Sequence, residues 1–342
     1  MKQISIIKPD DMHLHLRNSP HMEAVVNYSA RQFARAIIMP NTTPPVFTAK
    51  DALAYRNAIE NACEYDFKPL MTIYLTEQTD MEDVICAVNQ GLVFAVKLYP
   101  AGATTNSSAG VGDIRNCSAI FEILQEHAIP LSIHCESVAE GVDIFDREKL
   151  YIDNELTYLV KNFPELKIVC EHATTKDMVQ FVREAADNIV STITPHHLFI
   201  TRHDIFAAGI NPHNFCLPIA KTGADKDALI KAATSGNKKF FAGTDSAPHP
   251  RQNKEKEGGS AGIFSAANAI ELYTQAFDKA YSLDKLQQFT SINGTEFYGL
   301  TTNSDTITLI KEENQIPEQL PFADSILVPF LAGQKLEWRL QK

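Results

Sequence analysis

The sequence predicts a (β/α)8 barrel, an α/β fold in which eight parallel strands are each followed by a helix. Three observations favour this fold. Short apolar runs recur eight times and alternate with longer amphipathic stretches, as in parallel sheets that helices cover. The chain has 342 residues, 44% hydrophobic and 21% charged, which suits one barrel with insertions. Polar residues that could carry chemistry follow several of the apolar runs directly.

The eight predicted strands are rich in Ile, Val, Leu and Phe and show no clean alternation. This composition is expected of strands that are buried on both faces. In chain order they are Asp11–Leu16, Ala36–Pro40, Leu70–Leu75, Val93–Leu98, Leu131–Cys135, Lys167–Glu171, Ile189–Thr194 and Phe240–Gly243.

Helical periodicity fills the intervals between these strands. The predicted helices are Ala49–Cys63, Met81–Gln90, Ser118–His127, Glu155–Asn162, Thr175–Ala186 and Ala224–Ser235. Residues with side chains suited to N-capping stand at the starts of four of them, namely Thr48, Asp80, Thr175 and Thr222.

We expect residues 1–342 to form a single domain, with 304–342 as a peripheral C-terminal extension of strands and turns. Two long polar segments interrupt the barrel pattern. Ala101–Asp113 is small and Gly-rich, which is typical of a mobile lid but also of a disordered surface loop. Arg251–Gly259 is the second polar segment.

Charge and composition exclude several classes of protein. The net charge of −11 argues against nucleic acid or an anionic membrane as a partner, because both attract basic surfaces. The sequence shows no apolar stretch long enough for a signal peptide or a transmembrane helix. The six cysteines are scattered and contain no C-x-x-C pair. We therefore expect a cytoplasmic protein with reduced thiols.

Six residues at the ends of five predicted strands are candidate metal ligands. In barrels, the carboxyl ends of the strands form the active-site face, so these side chains should converge. Two histidines separated by one residue on a strand point to the same side and can hold one ion. The six are His13, His15, Lys97, His134, His172 and Asp245.

Lys97 is unusual in such a set. Histidine and carboxylate ligands suit Zn²⁺, and two ions about 3.5–4 Å apart need a bridging ligand with two oxygens. An ammonium beside two dications would be repelled. The repulsion disappears if the Lys97 amine reacts with CO₂, because the resulting carbamate is an anionic bridge.

The same residues resemble the pattern of the amidohydrolase superfamily. Within it, the chain is similar to the dihydroorotase family of the shorter, bacterial homodimeric type, over nearly its whole length. The similarity rests on DMHLHLR at 11–17, MPNTTPP at 39–45, KLYPAGATTNS at 97–107, IHCE at 133–136, EHATT at 171–175, TPHHL at 194–198 and GTDSAPH at 243–249.

This resemblance implies a reaction and a set of roles. The reaction is the reversible cyclisation of N-carbamoyl-L-aspartate to L-dihydroorotate, the third step of de novo pyrimidine synthesis, with a metal-bridging hydroxide as nucleophile in hydrolysis. It implies two Zn²⁺ per subunit, bridged by carboxylated Lys97, and a homodimer. The implied residues are His13, His15 and Asp245 for one ion, His134 and His172 for the other, Asp245 as general acid and base, Arg17, Asn41 and His249 for the substrate carboxylate, the backbone of Leu217 and Ala261 for the ring, and Thr104 and Thr105 on a mobile loop.

Two alternative functions remain open at this point. One is another enzyme of the superfamily, such as a hydantoinase, a phosphotriesterase-like enzyme or a deaminase. The other is a non-catalytic subunit with a dihydroorotase-like fold, although such subunits lose metal ligands. The ligand types suit Zn²⁺, Co²⁺ and Mn²⁺ alike. We interpret His196 and His197 as structural rim residues, and Glu136 and Glu171 as candidate partners of the ligands.

Overall fold

A computed structural model describes residues 2–207 and 209–341 of the chain. Its strands are, in chain order, β1 (Gln3–Ile7), β2 (Asp10–Leu14), β3 (Arg35–Ile38), β4 (Lys68–Tyr74), β5 (Val93–Leu98), β6 (Leu131–Ile133), β7 (Ile168–Cys170), β8 (Ile189–Ile193), β9 (Phe240–Ala242), β10 (Thr306–Ile310), β11 (Asn314–Gln315), β12 (Leu320–Phe322), β13 (Ser325–Leu327), β14 (Lys335–Leu336) and β15 (Arg339–Leu340). Its α-helices are α1 (His21–Ala30), α2 (Ala49–Ala62), α3 (Met81–Asn89), α4 (Ser118–Glu126), α5 (Arg147–Tyr151), α6 (Thr157–Asn162), α7 (Lys176–Glu184), α8 (Arg202–Phe206), α9 (Gly223–Thr234), α10 (Arg251–Lys254), α11 (Ala269–Lys279) and α12 (Asn293–Phe297).

The eight strands β2–β9 lie side by side in chain order in one parallel sheet. The sheet closes on itself just beyond β9. There, Ser246 forms a parallel bridge with Leu14 of β2, and Asp245 N donates to His13 O at 2.8 Å. The predicted barrel and all eight predicted strands are therefore confirmed.

Adjacent residues of a barrel strand belong to different clusters of buried side chains. Ile37 of β3 packs in one cluster, whereas its neighbours Ala36 and Ile38 pack in the larger cluster with the helices. This follows from the alternation of side chains along a strand. The cluster around Ile37 draws on six barrel strands, with Met12, Met39, Leu70, Val169, Val190 and Phe241 as its other buried members. These side chains pack the barrel interior, so the barrel is a solid support for its carboxyl end.

The four predicted N-caps are confirmed. Thr48 and Thr222 form capping boxes with Asp51 and Asp225, Asp80 accepts from the backbone N–H groups of Glu82 and Asp83, and Thr175 accepts from that of Met178. Each cap satisfies N–H groups that the first turn of a helix leaves without a partner.

The predicted helix Glu155–Asn162 differs in the structure. It is the end of a longer helical segment that starts with α5 at Arg147, passes through a π-helical turn at Ile152–Leu156 and continues as α6. The Thr157 hydroxyl donates to Ile152 O at 2.8 Å, five residues back, and so supports the wider turn.

The N-terminal and C-terminal segments meet in a small antiparallel sheet with the order β1-β10-β15. Gln3 and Arg339 both pair with Ile310, one from each side. Leu309, Leu320 and Trp338 of the C-terminal segment are buried in the same core cluster as the barrel strands. That residues 1–342 form a single domain stays a prediction.

All six cysteines are free, which agrees with the absence of a C-x-x-C pair. Among residues 2–207 and 209–341, we find no helix that combines the length and the hydropathy needed to cross a membrane.

Candidate active site

The six strand-end residues lie together at the carboxyl end of the barrel. His13 belongs to β2 and Lys97 to β5, and the other four follow the ends of their strands. All are buried, with exposed fractions from 0% for Lys97 to 8% for His15. Five of them line one cavity, namely His13, His15, His134, His172 and Asp245. Lys97 Nζ lies 5.2 Å from the ring centre of Tyr99, which also lines this cavity.

His13, His15 and Asp245 form a compact group. The two Nε2 atoms of the histidines are 3.2 Å apart, and they lie 3.4 Å and 3.1 Å from Oδ1 of Asp245. One ligand atom from each residue falls within 4.8 Å of the others. Three atoms that can each offer a lone pair face one another here, and this donor set suits a cation such as Zn²⁺.

The backbone at the ends of β2, β7 and β9 is turned into an unusual conformation. Arg17, His172 and Asp245 have φ values of 68°, 44° and 44°. Residues other than glycine rarely adopt positive φ, and they keep it only where the surrounding structure holds them there. The fold therefore aims these three side chains at the cavity at a cost in backbone free energy.

The neighbouring histidines keep Asp245 ionised. Burial would raise the pKa of its carboxyl, but the hydrogen bond from His15 and the charges of His13 and His172 hold that pKa well below its usual range. Asp245 is therefore a carboxylate, the form that can bind a metal ion or accept a proton.

The amine of Lys97 has carboxylates nearby, those of Glu171 and Asp245, but no hydrogen-bond partner among the described residues. Its nitrogen, Nζ, is buried. Burial lowers the pKa of the Lys97 amine, which favours its neutral form. An orphaned amine beside a cluster of histidines indicates that another group completes its environment.

Two buried glutamates contact the histidines from behind. His134 Nε2 lies 2.8 Å from Glu136 Oε2, and His13 Nδ1 lies 2.9 Å from Glu171 Oε2. Thr192 donates to the same Glu171 oxygen at 2.6 Å. A carboxylate on one ring nitrogen fixes the ring and leaves the other nitrogen to bind a metal, as is common for histidine ligands. The histidine set therefore fits a metal centre.

Arg17 and His249 face each other on the wall of the site. Arg17 Nη2 and the backbone oxygen of Ala261 both lie 2.9 Å from His249 Nε2, which can serve only one of them at a time. Arg17 Nε donates to Pro248 O at 3.0 Å, and the Tyr55 hydroxyl donates to Arg17 O at 2.7 Å. The half-buried guanidinium therefore keeps donor capacity for an anion in the cavity.

The segment Ala101–Asp113 is folded over the cavity. Thr104 and Thr105 line it, and the Thr105 hydroxyl donates to Ala261 O at 3.3 Å. Asn41 also lines the cavity, and its Nδ2 donates to Thr105 O at 2.9 Å. Ser107 is buried and bonds within the loop, to Thr104, so the threonines are the hydroxyl pair that faces the site.

Leu217, Ala261 and Gly262 complete the opposite wall. Gly262 has φ of +146°, and a Cβ atom there would lie 2.7 Å from Ala247 O and 2.8 Å from His249 Cδ2. Only glycine fits this close approach of two chain segments.

His196 and His197 are fully buried, with exposed fractions of 0% and 2%, so they do not lie at a rim. His197 bonds to Thr194 Oγ1 at 2.8 Å and to Pro218 O at 3.1 Å. Neither residue is among the described residues that line the cavity. These contacts agree with a structural function.

Sequence analysis missed Tyr99, Ala247 and Gly262 among the residues that line the cavity. Tyr99 stands two residues after Lys97 and so carried a positional signal, because residues i and i+2 of a strand share a face. Gly262 lies in a stretch without periodicity, and only its contacts across the fold explain it.

The comparisons with known proteins agree with this geometry. The model of the amidohydrolase family matches residues 5–314. The chain is 51% identical over 340 residues to a dihydroorotase of Cupriavidus metallidurans, covering 99% of both chains. It superposes on a crystal structure of dihydroorotase from Saccharomyces cerevisiae in complex with 5-fluoroorotic acid with a TM-score of 0.93, at 35% identity, covering 100% of this chain and 99% of that one. The dihydroorotase of Campylobacter jejuni gives a TM-score of 0.92 at 37% identity, covering 100% and 98%.

Full-length identity of this size, together with the matched family model and the shared barrel, settles the membership. The chain belongs to the amidohydrolase family and, within it, to the dihydroorotases.

Proposed function

We propose that this chain catalyses the reversible hydrolysis of the cyclic amide of L-dihydroorotate to N-carbamoyl-L-aspartate, the third step of de novo pyrimidine biosynthesis. Membership of the dihydroorotases supports the reaction. The observation that carries the proposal is that a metal-type donor set and a half-buried arginine, Arg17, face one cavity. A cyclic amide that carries a carboxylate needs both.

We further propose two divalent metal ions, with zinc as the first candidate. His13, His15 and Asp245 would hold one ion, and His134 and His172 the other. Bound there, such ions would lower the pKa of a water molecule and polarise the ring carbonyl. The convergent lone pairs and the glutamates behind two of the rings support this assignment.

Carboxylated Lys97 would join the two ions. A neutral amine attacks CO₂ to form a carbamate, and one proton leaves to solvent. The burial of Lys97, which favours the neutral amine, and the absence of a hydrogen bond at its Nζ support this modification.

Asp245 is proposed as the general acid and base. Its Oδ1 lies 3.4 Å and 3.1 Å from the Nε2 atoms of His13 and His15, so it is adjacent to the proposed metal site. It accepts a proton from the attacking water and transfers it to the ring nitrogen as the amide bond breaks. In the direction of ring closure, the same carboxylate removes the proton from that nitrogen.

Arg17, Asn41 and His249 are proposed to bind the substrate carboxylate. The planar guanidinium of Arg17 can donate two parallel hydrogen bonds to it. The backbone of Leu217 and Ala261 would then bind the ring. Thr104 and Thr105 would close over the substrate and exclude water.

The experiment is a substrate panel on the purified protein, combined with its metal content. We expect turnover of dihydroorotate and about two metal ions per chain, with no comparable turnover of hydantoin or adenosine. Turnover of hydantoin instead would favour a hydantoinase. Metal-free, inactive protein that zinc does not activate would favour a non-catalytic subunit.

We also propose a homodimer in the cytoplasm, as is typical of the bacterial type that the sequence resembles. Analytical ultracentrifugation tests the dimer, since a single species of the monomer mass of 38.0 kDa would contradict it.

A further inference from the structure

Lys254 is buried although it lies in the polar segment Arg251–Gly259. Its exposed fraction is 4%, and its Nζ donates to two backbone oxygens, Phe215 O at 2.7 Å and Gly262 O at 2.6 Å. The neighbouring Lys256 is exposed. A lysine with all its length inside the protein and two short hydrogen bonds has a defined position.

The two oxygens belong to the two chain segments that form one wall of the active site. Phe215 precedes Leu217 by two residues, and Gly262 follows Ala261 directly. The segments also touch directly, since Gly262 N donates to Phe215 O at 3.0 Å. The Lys254 ammonium therefore bridges the segments that carry Leu217 and Ala261.

The same wall receives the loop that covers the site. Ala261 O lies 2.9 Å from His249 Nε2, and it accepts from the Thr105 hydroxyl at 3.3 Å. A displacement of Ala261 would therefore disturb both His249, in the proposed binding site of the substrate carboxylate, and the loop at Thr105. No carboxylate of residues 2–207 and 209–341 forms an ion pair with Lys254; its ammonium is held by the two carbonyl oxygens and lies 5.9 Å from the ring centre of Phe215.

We propose that Lys254 is a positioning residue for substrate binding, because its ammonium sets the spacing between the backbone of Leu217 and that of Ala261. Its uncompensated positive charge also attracts an anionic substrate to this wall. The inference deepens the proposed function, on which its kinetic test rests. Burial lowers the pKa of Lys254 to about 8, so the side chain is still largely cationic at neutral pH.

The kinetic test compares Lys254→Met with Lys256→Met. The two variants lose the same charge, but only the first loses hydrogen bonds to the wall. We expect Lys254→Met to raise KM for dihydroorotate at least about tenfold and to change kcat less than about threefold, since the lost contacts act in ground and transition states alike. Lys256→Met should keep both constants. An unchanged KM in Lys254→Met, or an equal rise of KM in both variants, would overturn the proposed positioning role of Lys254.

A second measurement needs no substrate. Hydrogen exchange followed by mass spectrometry should show faster exchange in Lys254→Met for peptides covering 215–217 and 260–263, with the barrel strands unchanged. If Lys254→Met shows wild-type exchange rates in these peptides, the proposed positioning role of Lys254 is overturned. If wild-type protein fails to turn over dihydroorotate, the proposed function fails, while the exchange measurement still decides the role of Lys254.

Chemical rescue separates positioning from general damage. Lys254→Cys treated with 2-bromoethylamine regains an ammonium at lysine length, and we expect it to recover most of the KM effect relative to wild type treated in the same way. Failure of the amine to restore KM in folded protein counts against the proposal. If Lys254→Met does not fold, Lys254→Gln replaces it in both measurements.

Discussion

Lys97 combines full burial with an amine that has no hydrogen-bond partner among the described residues. Leaving such a group in the interior of a protein costs free energy unless something else satisfies it. A carbamate that binds two metal ions does so, because it replaces a lone donor with two anionic oxygens. Under the proposed function, the chemistry of this one residue would determine whether the histidines around it hold one ion or two.

We expect Lys97→Ala to lose most activity and most bound metal, because the bridge is absent. Small carboxylic acids added to the variant should restore part of the turnover by occupying its place. The measurements are metal content by mass spectrometry and the rate with and without acetate or propionate.

Lys239→Ala is the matched control for loss of a buried lysine. Lys239 is 7% exposed, and its Nζ donates to backbone oxygens such as Val182 O at 3.2 Å, away from the site. This variant should lose stability but keep its metal. Full activity in Lys97→Ala would refute the carbamate.

Arg17→Met should weaken binding of the substrate carboxylate. Removal of one partner from a buried, charge-assisted contact costs about 2–5 kcal/mol. We expect this loss mainly in KM for dihydroorotate, with metal content unchanged, because Arg17 contacts His249 and Pro248 and no residue of the donor set. Steady-state kinetics measure it. A variant that binds dihydroorotate as tightly as wild type would show that the anion site lies elsewhere.

At the residue scale, the sequence predicted which side chains end a strand but not the contacts that cross the barrel. His13 and Asp245 end neighbouring strands of the closed sheet, so the barrel hypothesis alone brings them together. The contact of Glu171 with His13 joins strands that lie far apart in the chain and depends on two side-chain rotamers. Nothing in the local pattern around either residue specifies that contact.

At the scale of elements, the loop Ala101–Asp113 depends on glycine at its root. A Cβ atom on Gly110 would lie 2.2 Å from Tyr99 O, whereas one on Gly112 would approach only Glu77 Oε1, at 3.9 Å. Tyr99 O also accepts from Val111 N at 2.9 Å, which fixes the loop beside β5. The close backbone approach therefore requires glycine at position 110 but not at position 112.

We expect Gly110→Ala to displace the loop and lower kcat/KM at least about tenfold, roughly 1.4 kcal/mol of transition-state stabilisation. Gly112→Ala should stay near wild type. Metal content should be unchanged in both, because the loop lies outside the donor set. Equal kinetics in the two variants would contradict a requirement for glycine at 110.

The double variant Thr104→Ala, Thr105→Ala tests the hydroxyls themselves. The double variant should lower kcat/KM by at least about tenfold. Ser108 is exposed on the same loop, and Ser108→Ala should leave kcat/KM unchanged. Protease resistance of the loop should rise when a carboxylate inhibitor binds to wild type. If the double variant keeps full kcat/KM, the segment is a surface loop without a catalytic function.

Elements with a strong local signal could be predicted, and elements defined by their surroundings could not. Thr48 and Thr222 were identifiable because capping needs only residues within the first turn. Helix α11 was missed although its apolar residues recur with helical spacing; its polar residues Glu271 and Gln275 are buried as well, so its place in the interior depends on its surroundings. The π-helical turn before Thr157 is supported by one side-chain hydrogen bond that the sequence pattern does not predict.

At the scale of the whole molecule, metal binding should stabilise the fold. The donor set comes from five barrel strands that are distant in sequence, so the unfolded chain cannot present it. A ligand that binds only folded protein at 100 times its dissociation constant adds about 2.7 kcal/mol. For a chain of this length this corresponds to roughly 4 °C in melting temperature.

We therefore expect chelation to lower the melting temperature by several degrees and added zinc to restore it. Differential scanning calorimetry measures the shift. Lys97→Ala should show a smaller shift, because its site is incomplete. An identical melting temperature with and without metal would contradict a metal centre built from all five strands.

The terminal sheet β1-β10-β15 brings Gln3 and Arg339 to either side of Ile310. Two strand spacings separate them, about 10 Å, so a short glycine linker could join them. Circular permutation is then feasible, with new ends between the exposed Tyr65 and Asp66, just before β4 at the amino end of the barrel. The permutant should retain metal and turnover, whereas ends placed between Ser108 and Ala109 should spare the metal and reduce turnover. The assembled barrel, and not the point at which the chain begins, would then specify the chemistry.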